Sequence, residues 1–148
     1  MRTIFDLAAR DEVLARLARL RPDAHARWGQ LDAPRMLCHV ADQLRQALGE
    51  LEAQPIRSPL ASLPLNWLLI HVLPWPKGRG RSPPEFLQRQ PASWETDLAE
   101  CRRLVNTCFR RGPNADWPIS PVFGRISGPS WGVLAYKHLD HHLRQFGA

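Results

Sequence analysis

One stretch near the end of this chain indicates its fold, the residues YKHLDHHLRQFG at positions 136–147. Its apolar residues recur at helical spacing, with Leu139 and Leu143 on one side of the predicted helix. The stretch also holds half of the chain's six histidines. Two of them, His138 and His142, project only about 40° apart on successive turns. This is the spacing at which one helix presents two imidazoles to a transition-metal ion.

The helical wheel places this histidine pair toward the interior. With Trp131 as zero, His138 and His142 lie inside or beside the apolar arc, Gln145 lies in the same stripe, and His141 lies at its edge. Buried imidazoles need partners for their nitrogens. Either one metal ion binds both rings, which requires a further ligand, or each ring bonds a carbonyl or a water and fills space in the core. The opposite side carries charged residues that we expect to face water: Lys137, Asp140 and Arg144.

Length and composition indicate a single domain over residues 1–148. A hydrophobic content of 44% and a charged content of 23% are typical of a folded chain. Three cysteines without a CxxC motif favour a reducing compartment. The N-terminus lacks the apolar core of a signal peptide, and the most apolar segment, 60–73, is too short to span a bilayer. We therefore expect a cytoplasmic protein without a membrane partner.

The net charge of +6 raises the question of nucleic acid. The arginines, however, are spread over several predicted helices. The one local cluster, Lys77, Arg79 and Arg81, lies in a loop rich in proline and glycine with no recognition motif around it. We interpret it as a solvated loop and expect no nucleic-acid partner. The positive charge would also favour an anionic small substrate.

Helical periodicity is strong in four long segments, and no alternating run of five or more residues predicts a strand. Asp32 and Ser127 are suitable N-caps, each followed by a proline in the first turn. These features predict an all-α fold, a four-helix bundle with one or two long crossovers and a short extra helix. The long helices are predicted near 7–20, 33–52, 93–111 and 128–146, the short helix at 64–72, and irregular connections at 74–84 and 113–121.

A third metal ligand should come from another helix, because bundles place metals between facing helices. The candidates are His25, His39 and His71. His25 lies in a loop, and His71 lies in the short apolar helix, where a packed and hydrogen-bonded histidine is more typical. His39 falls outside the apolar arc of its helix, next to Gln43, which by itself predicts an exposed side chain. Periodicity alone does not choose among the three.

Four sequence elements resemble the DinB-like superfamily, and in particular a bacterial subfamily of uncharacterised domains that share the terminal phrase. The elements are Trp28-Gly29-Gln30, Met36-Leu37-Cys38-His39, Phe123-Gly124-Arg125 and the terminal YKHLDHHLRQFG. The resemblance extends from Thr3 to Gly147. It implies a helical bundle that binds one divalent metal through His39, His138 and His142, with His141 and Gln145 as neighbours of the ligands. One departure is visible, since relatives often have His-Pro where this chain has Ser120-Pro121.

The resemblance also implies a function. Characterised members include thiol-dependent transferases and isomerases, so we expect a metal-dependent enzyme in which a three-histidine site activates water or a thiol. The substrate would be a small molecule, such as a low-molecular-weight thiol, and the metal would be zinc, nickel, iron or manganese. The catalytic residue itself is not assigned. The superfamily often forms homodimers, and this sequence is compatible with one.

Three further side chains are predicted to surround the ligands: Gln43, His141 and Gln145. Cys38 projects about 100° away from His39 and is not a predicted ligand. Two alternatives stay open. The chain could be a non-catalytic metal-binding or stress-response bundle, or its histidines could be structural.

Overall fold

The structure is a computed structural model that describes residues 1–78 and 82–148. Within these residues the chain is helical, and the only extended pairing is a single bridge between Ser120 and Gly124. The all-α prediction is therefore confirmed. The helices are α1 (Leu7–Arg19), α2 (Ala33–Leu48), α3 (Leu65–His71), α4 (Glu85–Gln88), α5 (Trp94–Arg111) and α6 (Gly128–Gln145), with a 3₁₀ turn at Pro59–Ala61.

The helix ends follow from local capping. The carboxylate of Asp32 accepts a hydrogen bond from the backbone N–H of Arg35 at 2.8 Å, and Ser127 caps α6 in the same way. The second helix ends at Leu48, four residues before the predicted end. Gly49 explains the difference, because it adopts a left-handed conformation with φ 81° and its N–H bonds the last carbonyls of the helix.

The four longer helices share one core. Both α1 and α2 pack against α5 and against α6. The core residues with the least exposure include Val13, Leu17, Leu37, Leu44, Leu104, Leu139 and Leu143. The second helix is the most enclosed, since even its polar residues His39, Asp42 and Gln43 are buried. A helix that is buried on nearly every side can present a polar face only to an internal site.

The charged side of α6 faces water only in part: Arg144 is exposed, as predicted, whereas Lys137 and Asp140 are partly covered by other segments. The Nζ of Lys137 donates to the carbonyls of Leu69 at 2.7 Å and Ile70 at 3.3 Å, near the end of α3. Asp140 accepts a 2.6 Å hydrogen bond from Arg16 of α1. The periodicity of one helix cannot reveal these contacts, because the groups that cover its charged side belong to distant segments.

An ionic network fixes α4 against α2 and α5. Arg89, directly after α4, donates from Nε to Asp42 at 3.0 Å and from Nη1 to Asp97 at 3.2 Å. Both carboxylates are nearly inaccessible. Because a buried carboxylate without a partner is strongly destabilising, this network positions the short helix firmly over α2.

Among the helices of the described residues, none combines the length and the apolar character needed to cross a bilayer. In the predicted solvated loop, Lys77 is exposed and its Nζ lies 4.7 Å from the ring centroid of Trp28. The other members of that basic cluster, Arg79 and Arg81, lie outside the described residues.

Candidate metal centre

Three histidines from two helices meet in the interior. His39 of α2 and the pair His138 and His142 of α6 place their ligand nitrogens within 4.8 Å of one another. Their ring centroids are 4.7 to 4.9 Å apart, so the three rings form a nearly regular triangle. The closest nitrogens are the Nε2 atoms of His39 and His138, at 3.0 Å. The structure thus brings together the three residues that the resemblance singles out.

The orientation of His39 is set by a backbone carbonyl. Its Nδ1 lies 3.3 Å from the carbonyl oxygen of Phe86 in α4. A carbonyl oxygen can only accept, so Nδ1 carries the proton and Nε2 presents its lone pair to the triangle. The predicted exposure of His39 is wrong, since only 3% of the residue is exposed. The reason is that α4 and α6 cover a face of α2 that looks polar from its own sequence.

The orientation of His142 is set by a relay of two groups. Its Nδ1 lies 2.8 Å from Oε1 of Gln145, and the amide nitrogen of Gln145 donates to the carbonyl of Trp28. Because that carbonyl only accepts, the amide is held with its oxygen toward His142. His142 therefore carries its proton on Nδ1 and presents the lone pair of Nε2. Second partners of this kind are typical of metal-ligating imidazoles.

The turn at Trp28-Gly29 is shaped to allow this contact. Gly29 has φ 79°, a left-handed conformation, and a Cβ at this position would lie 2.8 Å from the amide nitrogen of Gln145. Glycine is therefore required here by backbone conformation and by the close approach of a side chain. This accounts for part of the Trp28-Gly29-Gln30 element on which the resemblance rests.

The third ring, His138, is held by packing. Its Nδ1 is buried and has no hydrogen-bond partner among residues 1–78 and 82–148. Its Nε2 faces the lone pair of His39, and the ring of Trp75 lies 5.8 Å away between centroids. A proton on Nε2 of His138 or a shared cation would satisfy this nitrogen pair. Three imidazole nitrogens are a donor set that suits divalent transition metals.

Burial keeps the three imidazoles neutral. It lowers the pKa of His142 to about 3, and the neighbouring His39 contributes in the same direction. Burial also lowers the pKa of His138 well below its usual value, with His142 and His39 adding to the effect. The pKa of His39 is lowered for the same first reason, although the Phe86 carbonyl opposes it. The uncharged form is the one that binds metal, so protons compete weakly near neutral pH.

A cavity of about 1190 Å³ opens next to the triangle and includes all three rings in its wall. Ligand pockets typically have about 300–1,000 Å³, so this cavity can admit a small organic molecule. Among the described residues that line it, the only charged side chain is Arg57. The aromatic part of the wall consists of Trp28, Trp75, Phe86, Phe123 and Trp131.

The other predicted neighbours occupy different positions. Gln145 contacts His142 directly, as described above. His141 lines the cavity and its Nε2 lies 3.4 Å from the indole nitrogen of Trp28, which donates to it. Burial lowers the pKa of His141, Asp140 opposes this and the charge of Lys77 adds to it; the net direction is downward, so the ring is neutral near pH 7. Gln43 lines the cavity without a hydrogen bond to the triangle.

Two candidate ligands lie elsewhere. His25 is exposed, and Nε2 of His71 lies 3.0 Å from the hydroxyl of Ser130. Neither joins the histidine group. Cys38 is a buried free thiol whose pKa is raised by burial, and it also stays outside the group. These positions agree with the prediction that Cys38 is not a ligand.

Sequence reasoning missed three contributors. Phe86 acts through its carbonyl, which leaves no signal in the residue type. Trp75 packs beside His138 from a connection predicted to be irregular. Gln46 follows His39 by seven residues, about two helical turns, and lines the same cavity. Ser120, at the departure from the family pattern, lines the cavity wall while its hydroxyl accepts from the N–H of Phe123 at 3.1 Å.

Comparison of the chain with protein-family models, with curated proteins and with solved structures gives no match. The resemblance to the DinB-like superfamily therefore stays a prediction, based on the four sequence elements.

Proposed function

We propose that this chain is a metal-dependent enzyme of the DinB-like superfamily, folded as a four-helix bundle with long crossovers. His39, His138 and His142 bind one divalent metal. The observation that carries the proposal is the meeting of three neutral, buried imidazoles from two helices, with ligand nitrogens within 4.8 Å of one another. Two of the rings have their remaining N–H held by an acceptor, which is the arrangement of a prepared ligand set.

The metal and the side chains would contribute different parts of the chemistry. A divalent ion held there would supply Lewis-acid chemistry and would lower the pKa of a bound water or thiol. The chain excludes bulk water, because each of the three rings is less than one-tenth exposed. His141, a neutral imidazole in the cavity wall, accepts from the indole N–H of Trp28 at Nε2, so its remaining N–H can donate a hydrogen bond.

The cavity favours an enzyme over a metal store. A storage site needs no space for an organic ligand, whereas this cavity of about 1190 Å³ shares a wall with the triangle. We assign the reaction as transfer of a group to or from a small thiol. Arg57, exposed at the cavity, would attract an anionic substrate. We place the protein in the cytoplasm, since its three cysteines are free, buried thiols.

The metal content of matched variants tests the site. Wild type and His25→Ala, whose histidine is exposed and outside the group, should each bind about one equivalent of zinc or cobalt(II). His138→Ala and His39→Ala should bind less than about a tenth as much at the same free metal concentration. Folding of each variant is checked by circular dichroism. Full metal retention by His138→Ala would contradict the proposal.

The reaction class needs a second test. Adding 2-mercaptoethanol to the cobalt(II) protein should produce a sulfur-to-metal charge-transfer band, and His39→Ala should not show it. Zinc-loaded protein should also accelerate transfer of the dinitrophenyl group from 1-chloro-2,4-dinitrobenzene to a small thiol. Stoichiometric metal without either response would favour the non-catalytic metal-binding protein instead.

A further inference from the structure

The helix that supplies His39 continues along the cavity with two glutamines. Gln43 and Gln46 follow His39 by four and seven residues and both line the cavity. At 1.5 Å per residue, their Cα atoms lie about 6 Å and 10 Å further along the helix. They are 8% and 6% exposed, so each is more than nine-tenths buried. Polar side chains so deeply enclosed usually have all their hydrogen-bonding atoms satisfied.

Both side chains nevertheless have a carbonyl oxygen without a donor. The amide nitrogen of Gln46 donates to the backbone carbonyl of Ile119 at 3.1 Å, which fixes the orientation of the amide. Its Oε1 has no hydrogen-bond partner within the described part of the chain, and the same is true of Oε1 of Gln43. Two buried acceptors on adjacent turns therefore lack a donor, and both belong to side chains in the wall of a cavity that can admit a ligand.

The charge around the cavity restricts what that ligand can donate. None of the described lining residues has a carboxylate, and the lining includes Arg57 together with the proposed cation site. A ligand ammonium group would meet positive charge without a counter-ion. A neutral donor avoids this penalty. A planar NH₂ group carries two hydrogens in one plane and can donate to two acceptors at once.

We propose that this cavity binds a molecule with a neutral planar NH₂ group, such as a carboxamide or an aromatic amine. The NH₂ donates to Oε1 of Gln43 and of Gln46. The apolar body of the molecule packs against the aromatic side chains that line the same cavity, among them Trp75 and Phe123. The inference rests on the proposed function only for the reacting end of the molecule, which would point toward His39. Recognition by the glutamines does not require the metal.

Benzamide and acetophenone form a suitable pair of probes, because they have nearly the same shape and differ in NH₂ against CH₃. Their dissociation constants can be measured by chemical-shift titration of ¹⁵N-labelled, zinc-loaded protein. Two added hydrogen bonds predict at least about tenfold tighter binding of benzamide. Benzylamine, an ammonium, should bind more weakly than benzamide. Equal affinity of benzamide and acetophenone, or no binding of benzamide, would overturn the inference.

Variants identify the acceptors. Gln43→Met and Gln46→Met should each reduce the preference for benzamide severalfold, and the double variant should abolish it. Gln88→Met, an exposed glutamine of α4 outside the cavity lining, should leave it unchanged. Loss of the preference in Gln88→Met, or its survival in a folded double variant, would contradict the assignment. If the glutamine variants do not fold, the wild-type comparison of the two probes still decides.

The same titration in His138→Ala separates this inference from the proposed function. A preference for benzamide that persists in the metal-free variant supports the glutamine site on its own. A wild-type protein that binds metal but does not distinguish the probes refutes the glutamine site and leaves the metal site standing. A wild-type protein that prefers benzamide but binds no metal refutes the metal site and leaves the glutamine site standing.

Discussion

Replacing Gly29 with alanine should weaken metal binding, although Gly29 offers no ligand. A Cβ at this position would lie 2.8 Å from the amide nitrogen of Gln145, closer than real Cβ contacts allow. That nitrogen is the far end of a side chain, so the amide would rotate away from the carbonyl of Trp28. Its oxygen would then no longer be held toward Nδ1 of His142. The substitution thus reaches the metal site through one hydrogen-bond relay.

The expected magnitude has two parts. A left-handed alanine costs about 1 kcal/mol relative to glycine. Breaking the hydrogen bonds of Gln145 with His142 and Trp28 costs about 1–3 kcal/mol more, because Gln145 is only 3% exposed and water cannot replace the lost partners. The free energy of unfolding should therefore fall by about 2–4 kcal/mol. Loss of an outer partner of a ligating histidine typically reduces metal affinity about 10–100-fold.

Gly49→Ala is the matched control. Gly49 has φ 81°, close to the 79° of Gly29, but a Cβ there meets nothing within 4 Å. It should lose about 1 kcal/mol of stability and keep its metal affinity. Urea unfolding gives the stability of both variants, and zinc competition with a chromophoric chelator gives the affinity. Histidine ¹⁵N shifts of the metal-free protein report the tautomer of His142 directly.

Two results would refute this reasoning. One is equal zinc affinity in Gly29→Ala and Gly49→Ala, which would mean that the turn shifts and the amide of Gln145 stays in place. The other is additivity in a double-mutant cycle. If Gly29→Ala acts through Gln145, then it should weaken zinc binding no further in a Gln145→Ala background.

Three further predictions concern an ion pair, the pH dependence of stability and the reactivity of the cysteines. Arg89→Met should lower the free energy of unfolding by about 2 kcal/mol, because it removes a partner from the buried carboxylate of Asp97 while Arg89 itself is about one quarter exposed. In metal-free protein, the free energy of unfolding should fall as the pH drops below about 6.5, because the unfolded chain binds protons at His39, His138 and His142 that the folded chain does not. The slope should be at least about 1.4 kcal/mol per pH unit, the contribution of His142 alone, whose pKa is lowered to about 3; urea unfolding at a series of pH values measures it. Cys101 and Cys108, whose pKa is raised by burial to about 12, should resist iodoacetamide in native protein, as read by mass spectrometry.

Each of these expectations has a control. Arg103→Met, which removes a side chain 46% exposed, should change stability by less than about 1 kcal/mol. His25→Ala should keep the acid sensitivity of the wild type. Urea should make both cysteines reactive. A stable Arg89→Met protein, a flat stability profile below about pH 6.5, or native alkylation of Cys101 would each contradict the corresponding argument.

The parts of the fold that could be predicted are those encoded locally. The caps Asp32 and Ser127 and the apolar stripe of α6 lie within a few residues of the features they determine. The second helix ends before the predicted residue because Gly49 adopts a left-handed conformation that terminates it. The four-residue α4 was missed altogether. It has no room for a periodic pattern, and it is held by the buried network of Arg89.

The histidine pair of the site could be predicted from the sequence, but the groups that bury and orient the histidines could not. The spacing of His138 and His142 identifies a shared face from the sequence alone. His39 could not be chosen from periodicity, because burial by α4 and α6 depends on segments 47 and 99 residues away. The resemblance supplied it. The carbonyl that orients His39 carries no signal in the residue type of Phe86, since every residue has one.

Burial and the fixed tautomers both favour metal binding at this site. Burial lowers the pKa of the three imidazoles, which reduces competition from protons, and two acceptors hold the N–H of His39 and His142 away from the triangle. His138 lacks such an acceptor among the described residues, and its ring packs against Trp75 and His39. Its orientation therefore depends on this packing and on the 3.0 Å contact between its Nε2 and Nε2 of His39. Of the three rings, His138 is the one whose position is most sensitive to changes in the cavity wall.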